Sequence, residues 1–546
     1  MDLYPVKAQF LTDEEVILKL ETTRRNQWTV RIRVFHLNDE VLSKTICGLV
    51  CSSEISLGSF ETSFAGYGVS AECESSGEKI TLETAFDVVD NPARSLRYGF
   101  LSDFGQDDDN EEAADWLCKC HINLAQYYDW SFRHHQLISA EESYQDMMGK
   151  TICTNTVKNQ IRRGNERGIR AIAYGAVYAA GQEFFETHRD WAFYNSSNQP
   201  FAFIDVFYIM NLQRGSPWRD HLLNQYRSAI GEMGFHGIHM DTYGFPKTAY
   251  SHLTQTPELV RLDEELPALI GEARKKLGDD ACLIFNNVGN WPVYATASAP
   301  QDAVYIEVWP PYERYFHIAQ LIVGARVSAG NAKPVILAAY LAPFREGDRG
   351  QAITSAQLLT AAIVSNGGYH LLTGERKAVL TQGYYSDYVR LNDTEASVLR
   401  RYYDFMVRYL ELFYDPQLQN TSMTHTGWDN FEYQCLSHPV SSYGEAGKLW
   451  MILREQDRRK CLYLVNLCSC TDDYWNRGKK TPIPQRDLRF RVQVDYPVNG
   501  IYAASPDWLT LETRKLPFSC TEDERGCFAE FTLPEAPLWT VIWIDF

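Results

Sequence analysis

No apolar run in this 546-residue sequence approaches the roughly 20 residues that a helix needs to cross a bilayer. That excludes a helical membrane anchor. Basic charge is also scarce: 52 Lys and Arg stand against 70 Asp and Glu, for a net charge of −18. Phosphate backbones and anionic lipid surfaces both call for clustered cations, so nucleic acid and membrane are excluded as partners. A neutral partner fits this balance. No paired Cys-x-x-Cys zinc pattern occurs among the 13 cysteines, which scatter from Cys47 to Cys527. Cys118/Cys120 and Cys468/Cys470 are Cys-x-Cys pairs. Neither should chelate a metal. The start, Met1 to Lys7, lacks the charged-then-apolar pattern of a leader. Together with unpaired cysteines this favours the cytoplasm; secretion would need a leader removed upstream.

Several features are abundant instead. The length exceeds what one hydrophobic core can serve, so two to four domains are expected. Aromatic residues are plentiful: 13 Trp, 32 Tyr and 27 Phe. They serve as bulky core filling or, collectively, as the flat apolar platforms of a sugar cleft.

Three textures divide the chain. Residues 1–98 carry alternating strands such as Glu15–Glu21 and Trp28–Phe35, which predict an N-terminal immunoglobulin-like β-sandwich. Residues 99–415 alternate apolar runs with amphipathic stretches. The runs are 121–130, 169–174, 202–210, 237–241, 282–287, 303–307, 334–339 and 368–373. Helices are predicted over 143–163, 220–233, 257–277, 312–329 and 352–364. Eight β-then-α units in this length match a (β/α)8 TIM barrel. A doubly wound open sheet is the alternative, and the absence of Gly-x-Gly-x-x-Gly after any strand weighs against it. Residues 416–546 return to strands and predict a C-terminal antiparallel β-sandwich. The acidic stretch 103–115 reads as a solvated connector or helix start rather than a metal site.

Two segments carry the chemistry. Gly234–Gly244 places Asp241 at the end of an apolar run with Tyr243 just beyond; Asp302–Pro310 does the same with Glu307 and Trp309. Burying an ionised carboxylate is costly unless something compensates, so two strands that both end this way suggest a site. Barrel active sites lie at the carboxyl ends of the strands. That filter gathers Asp129, Asn211, Asp241, Asn286, Asn287, Glu307, Tyr340 and His370, with Trp130, Tyr243, Trp309 and Tyr312 lining the mouth. Amides, carboxylates and aromatic faces suit a carbohydrate, and two carboxylates are the minimum for cleaving a glycosidic bond. The competing reading makes Asp241 and Glu307 partners in structural ion pairs. His236 and His239 flank Asp241, but His-x-x-His-x-Asp on one strand has no recognised ligand geometry.

The chain resembles glycoside hydrolase family 66, the endo-dextranases and cycloisomaltooligosaccharide glucanotransferases. The resemblance is carried by Arg97–Phe104, by Gln126–Trp130 with Arg133-His134, by Gly234–Asp241 and by Val304–Trp309. It implies that Asp241 is the nucleophile, Glu307 the acid/base, and Asp129 a further residue needed for activity. Trp130, His134, Tyr243, Asn286, Asn287, Trp309 and Tyr312 are then expected to bind substrate. The implied reaction is retaining, endo-acting hydrolysis of α-1,6-glucosidic bonds in dextran or isomaltooligosaccharides. No metal or organic cofactor is implied, and a monomer or weak oligomer is expected. Two departures stand out. His236 occupies a position that is often acidic in the family. The short link from Leu341 to Gln351 has no room for the carbohydrate-binding module of cyclising members, which favours hydrolysis. The alternatives are a glucanotransferase making cyclic or longer products, and a non-catalytic glucan-binding protein.

Overall fold

The computed structural model describes residues 1–23, 26–426 and 430–546. The chain is multidomain and strand-rich. Its first part follows directly from period-two patterning. In Trp28–His36 the side chains of Trp28, Val30, Ile32 and Val34 are buried, while Thr29 and Arg31 are exposed. A pleated strand does this when one face is dry and the other wet. A three-stranded and a five-stranded sheet share one apolar core, with Leu18, Leu20 and Ile55 from the first meeting Val30, Ile32 and Val69 from the second.

The central sheet contains β1 (Tyr98–Leu101), β2 (Leu124–Tyr127), β3 (Arg170–Ala176), β4 (Gly237–Asp241), β5 (Cys282–Val288), β6 (Ala303–Glu307), β7 (Val335–Ala338) and β8 (Gly368–His370). Each is parallel to the next. The sheet curls: just beyond β8, Gly374 pairs in parallel with Phe100 of β1. All five residues of β4 are buried, because both faces of a parallel strand are covered. Helices Thr154–Glu166, Pro217–Ser228, Leu262–Leu277, Tyr315–Ser328 and Arg349–Ser365 intervene. In Leu262–Leu277 the buried residues Leu262, Leu266, Leu269, Ile270 and Ala273 form one stripe.

One strand assignment needs correction. The run 202–210 is not in the central sheet. Ile204 and Asp205 have φ of 49° and 56°, so the chain reverses there into the antiparallel strands Ala202–Phe203 and Phe207–Ile209. Its apolar side chains face the ends of the central strands instead of joining them. β3 and β4 pair directly, and the further strand is β1, beside β2; only four residues long, it carries no periodicity of its own. Likewise the predicted helix 143–163 begins only at Thr154, after the short strands Ser143–Gln145 and Thr151–Cys153.

The C-terminal strands show why the sequence there lacks alternation. In Leu449–Gln456, Leu449, Met451 and Leu453 enter a second core shared with Phe490, Val492 and Phe531 of the facing sheet. Trp450 and Ile452 point the other way, into the central core. Both faces are covered, so both must be apolar.

Arg97 locks the first part to the central sheet. Its guanidinium forks onto Asp87 at 2.8 and 2.9 Å and also donates to Ala8 O, Ser95 Oγ and His121 O. The acidic stretch is neutralised by bases: Asp108 by Arg376, Asp109 by Arg163, and Asp115 by Arg167. None of the 13 cysteines is in a disulfide.

Candidate active site

β5 lies between β4 and β6. Asn286 on β5 can therefore reach the acidic residues that end both neighbours. Its Nδ2 donates to Asp241 Oδ1 at 2.7 Å and to Glu307 Oε2 at 3.2 Å. Each carboxylate has a second donor. Tyr174 on β3 gives its hydroxyl hydrogen to Asp241 Oδ2 at 2.7 Å, and Tyr340 gives its own to Glu307 Oε1 at 2.7 Å. No Lys or Arg pairs with either carboxylate among the described residues, which removes the ion-pair reading.

Burial raises both acids. Asp241 is pushed up to about 7, by burial first and then by the charge of Glu307, against the bonds from Asn286 and Tyr174. Glu307 is also raised by burial, opposed by Tyr340, Asn286 and Trp309. The charge of Glu307 contributes to the lift on Asp241, so the two acids titrate as a linked pair.

Both acids open into a cavity of about 370 Å³. Asp129, His134, Tyr243, Asn286 and Trp309 line it too. Asp129 has φ of 48°, a left-handed conformation that Asp tolerates better than most residues. Its carboxyl has no hydrogen-bond partner among the described residues. Burial, reinforced by the charges of Asp146 and Asp241, raises it to about 8, so it is mostly protonated at neutral pH. Burial also holds His134 down at about 3, hence neutral, with its Nδ1 unpartnered. The Tyr243 ring stacks on Phe203 at 4.3 Å, and Trp309 stands at the mouth, 39% exposed.

Other expected residues lie elsewhere. Trp130 is wholly buried, donates to Tyr174 O at 3.2 Å and packs on Phe235, so it supports the wall rather than forming it. Asn287 faces the opposite side of β5, donating to Tyr305 O at 2.8 Å and accepting from Thr296. Neither can stack on or bond a ligand in this cavity. Tyr312 lines a neighbouring cavity. Asn211 bonds Ser251, and His370 sits between Thr360 and Ala339 O, both away from the acids. His236 receives the Ala171 N–H, away from this cavity, whereas His239 lines the cavity with Asp241 and is held by the Tyr98 hydroxyl.

Sequence reasoning passed over Tyr174 as a partner of the acid, although it ends an apolar run. It also missed Gly383, Tyr384 and Tyr385, which close the cavity from a segment beyond β8. Gly383 approaches the acid closely: a Cβ there would sit 3.1 Å from Glu307 Oε1 and 3.2 Å from the Trp309 ring, so one of them would have to shift.

The chain is similar to several known proteins. A cycloisomaltooligosaccharide glucanotransferase from Niallia circulans is 22% identical over 708 aligned positions, covering 99% of this chain and 72% of the relative. A dextranase from Streptococcus salivarius is 22% identical over 377 positions, covering 60% of this chain and 46% of the relative. Among solved structures, the cycloisomaltooligosaccharide glucanotransferase of Paenibacillus sp., crystallised with cycloisomaltoheptaose, superposes with a TM-score of 0.89 at 20% identity, covering 100% of this chain and 99% of that one. The sequence profile described as glycosyl hydrolase family 66 matches residues 6–543. With nearly its whole length matched by that profile, the chain belongs to glycosyl hydrolase family 66.

Proposed function

We propose that the chain is a retaining, endo-acting glycoside hydrolase that cleaves α-1,6-glucosidic bonds of dextran and isomaltooligosaccharides by double displacement. One observation carries this reading: a single amide nitrogen reaches both acids. Oxygens bonded to one nitrogen at 2.7 and 3.2 Å lie within about 6 Å of each other. Retaining enzymes hold their two carboxyls about 5–5.5 Å apart, whereas inverting enzymes need about 6.5–9.5 Å to admit a water.

In this mechanism the pair enters with one proton. The mechanism needs that proton on Glu307 and the charge on Asp241, where the 2.7 Å bonds from Tyr174 and Asn286 stabilise it. Ionised Asp241 attacks the anomeric carbon as Glu307 protonates the departing oxygen. A glycosyl ester forms on Asp241. Glu307, now a carboxylate, takes a proton from water, whose oxygen displaces the ester. Asp129 and His134 are placed to bond sugar hydroxyls, and Tyr243 and Trp309 offer flat faces to the rings.

We read the curled sheet as a closed (β/α)8 barrel with acids at its carboxyl-end rim, flanked by the two sandwiches, with boundaries near 98 and 415. The names of the relatives support an α-glucan substrate. The link after β7 is short, with helix Pro343–Glu346 followed at once by Arg349–Ser365, which supports hydrolysis over cyclisation. The second reading is a glucanotransferase, favoured by the names of two relatives. Incubation with dextran followed by product chromatography tests both: linear short products support hydrolysis, and cyclic or longer ones support transfer. Loss of all products in Asp241→Ala and Glu307→Gln ties the activity to the pair. Tight dextran binding with no product from the wild type would instead indicate a non-catalytic binding protein.

A further inference from the structure

Beyond Trp309 and Tyr340 lies a second cavity, of about 440 Å³. Those two side chains line both cavities and form the partition between them. The far wall comes from residues 474–477, in the C-terminal part of the chain. That segment is firmly held. Trp475 Nε1 donates to Tyr312 O at 2.7 Å and its backbone N–H to Glu313 O at 3.1 Å. Arg314 forks onto Asp473 at 2.7 and 3.0 Å, and Asn476 Oδ1 accepts from Ala342 N at 2.9 Å. The cavity is therefore preformed. Its polar groups are free to engage a ligand: the side chains of Glu313, Glu346 and Arg477 make no hydrogen bond or salt bridge among the described residues, while Arg477 lies over the Tyr474 ring at 4.1 Å and its charge also acts on Asp472. A flat exposed indole opposite unengaged donors and acceptors is a surface suited to a pyranose.

We propose that this second cavity is the leaving-group and acceptor side of the site, and that the C-terminal segment 474–477 thereby sets the ratio of sugar transfer to hydrolysis. The proposal rests on the reading of Glu307 as acid/base. An acid/base must sit beside the departing oxygen. Glu307 is the acid that touches the partition, through Tyr340, whereas Asp241 is held by Tyr174 on the side away from it. Glucosyl units attached through the departing oxygen therefore run past Trp309 into the second cavity. After they leave, a sugar hydroxyl bound there competes with water. Its proton passes to the Glu307 carboxylate and its oxygen bonds to the anomeric carbon. The bond from that carbon to Asp241 breaks, and Asp241 departs as a carboxylate. Nothing else is consumed.

Isomaltotriosyl α-fluoride tests this, because fluoride leaves without needing a sugar pocket. With isomaltose added as acceptor, transfer and hydrolysis products arise from the same ester and are separated by chromatography. Arg477→Ala and Tyr474→Ala are expected to lower the transfer-to-hydrolysis ratio about tenfold, the effect of roughly 1.4 kcal/mol of acceptor binding. The ratio is counted per ester formed, so a slower or partly folded variant does not move it. An unchanged ratio in both variants overturns the proposal, as does a wild type that makes no transfer product at saturating isomaltose. A wild type that releases no fluoride at all sinks the glycosidase reading instead.

Discussion

Tyr340 donates its hydroxyl hydrogen to Oε1 of Glu307 across 2.7 Å. A hydrogen bond to the ionised form favours that form, so this contact restrains the upward push of burial on Glu307. Tyr340→Phe removes it. The basic limb of the pH–rate profile, which reports loss of the Glu307 proton, is expected to move to higher pH while kcat falls. A basic limb that stays put would separate Tyr340 from the acid's titration.

A side chain at Gly383 is expected to displace Glu307 or Trp309. A Cβ there would press on Glu307 Oε1 and the Trp309 ring. Gly383→Ala should lower kcat about tenfold or more, the equivalent of roughly 1–2 kcal/mol of misplacement, with little change in melting temperature. Steady-state kinetics alongside calorimetry separate the two effects.

Asp129 makes stability depend on pH. Its carboxyl is raised to about 8 in the folded chain, far above the unfolded value. The folded state therefore binds this proton more tightly. The resulting stabilisation is complete below the unfolded pKa and is lost as pH rises through about 8. Asp129→Asn escapes that loss. The variant should match the wild type near pH 4 and exceed it by on the order of a few kcal/mol at pH 8. Melting curves at several pH values check this; a difference independent of pH would contradict it.

Arg97 offers a test of the joint between the first part and the central sheet. Its buried fork onto Asp87 uses the planar guanidinium, which an ammonium cannot copy. Arg97→Lys leaves Asp87 poorly matched in a dry site and should destabilise by about 3–5 kcal/mol. Scanning calorimetry measures it, and a shift near zero would show that the joint carries little stability.

What the sequence revealed depended on how local the signal was. Asp241 and Glu307 were legible because each ends a short apolar run, and those runs are β4 and β6. The bridging role of Asn286 was not, because it depends on β5 lying between them. Run 202–210 looked like a central strand by composition, but two positive-φ residues fold it back on itself. β1 was overlooked as a strand for the opposite reason: four buried residues are too few to show a period. Trp130 and Asn287 sit beside cavity-lining residues in sequence, yet strand and turn geometry sends their side chains away. Gly383 reaches Glu307, and the C-terminal segment 474–477 reaches the second cavity, from far along the chain, and no local pattern marks such contacts.

The anomeric configuration of the first product tests the central claim most directly. Proton NMR of an isomaltooligosaccharide digest, recorded before mutarotation, is expected to show the α-anomer at the new reducing end, as two displacements at one carbon require. A β-anomer would mean a single displacement by water, and so two carboxyls that do not share one anomeric centre.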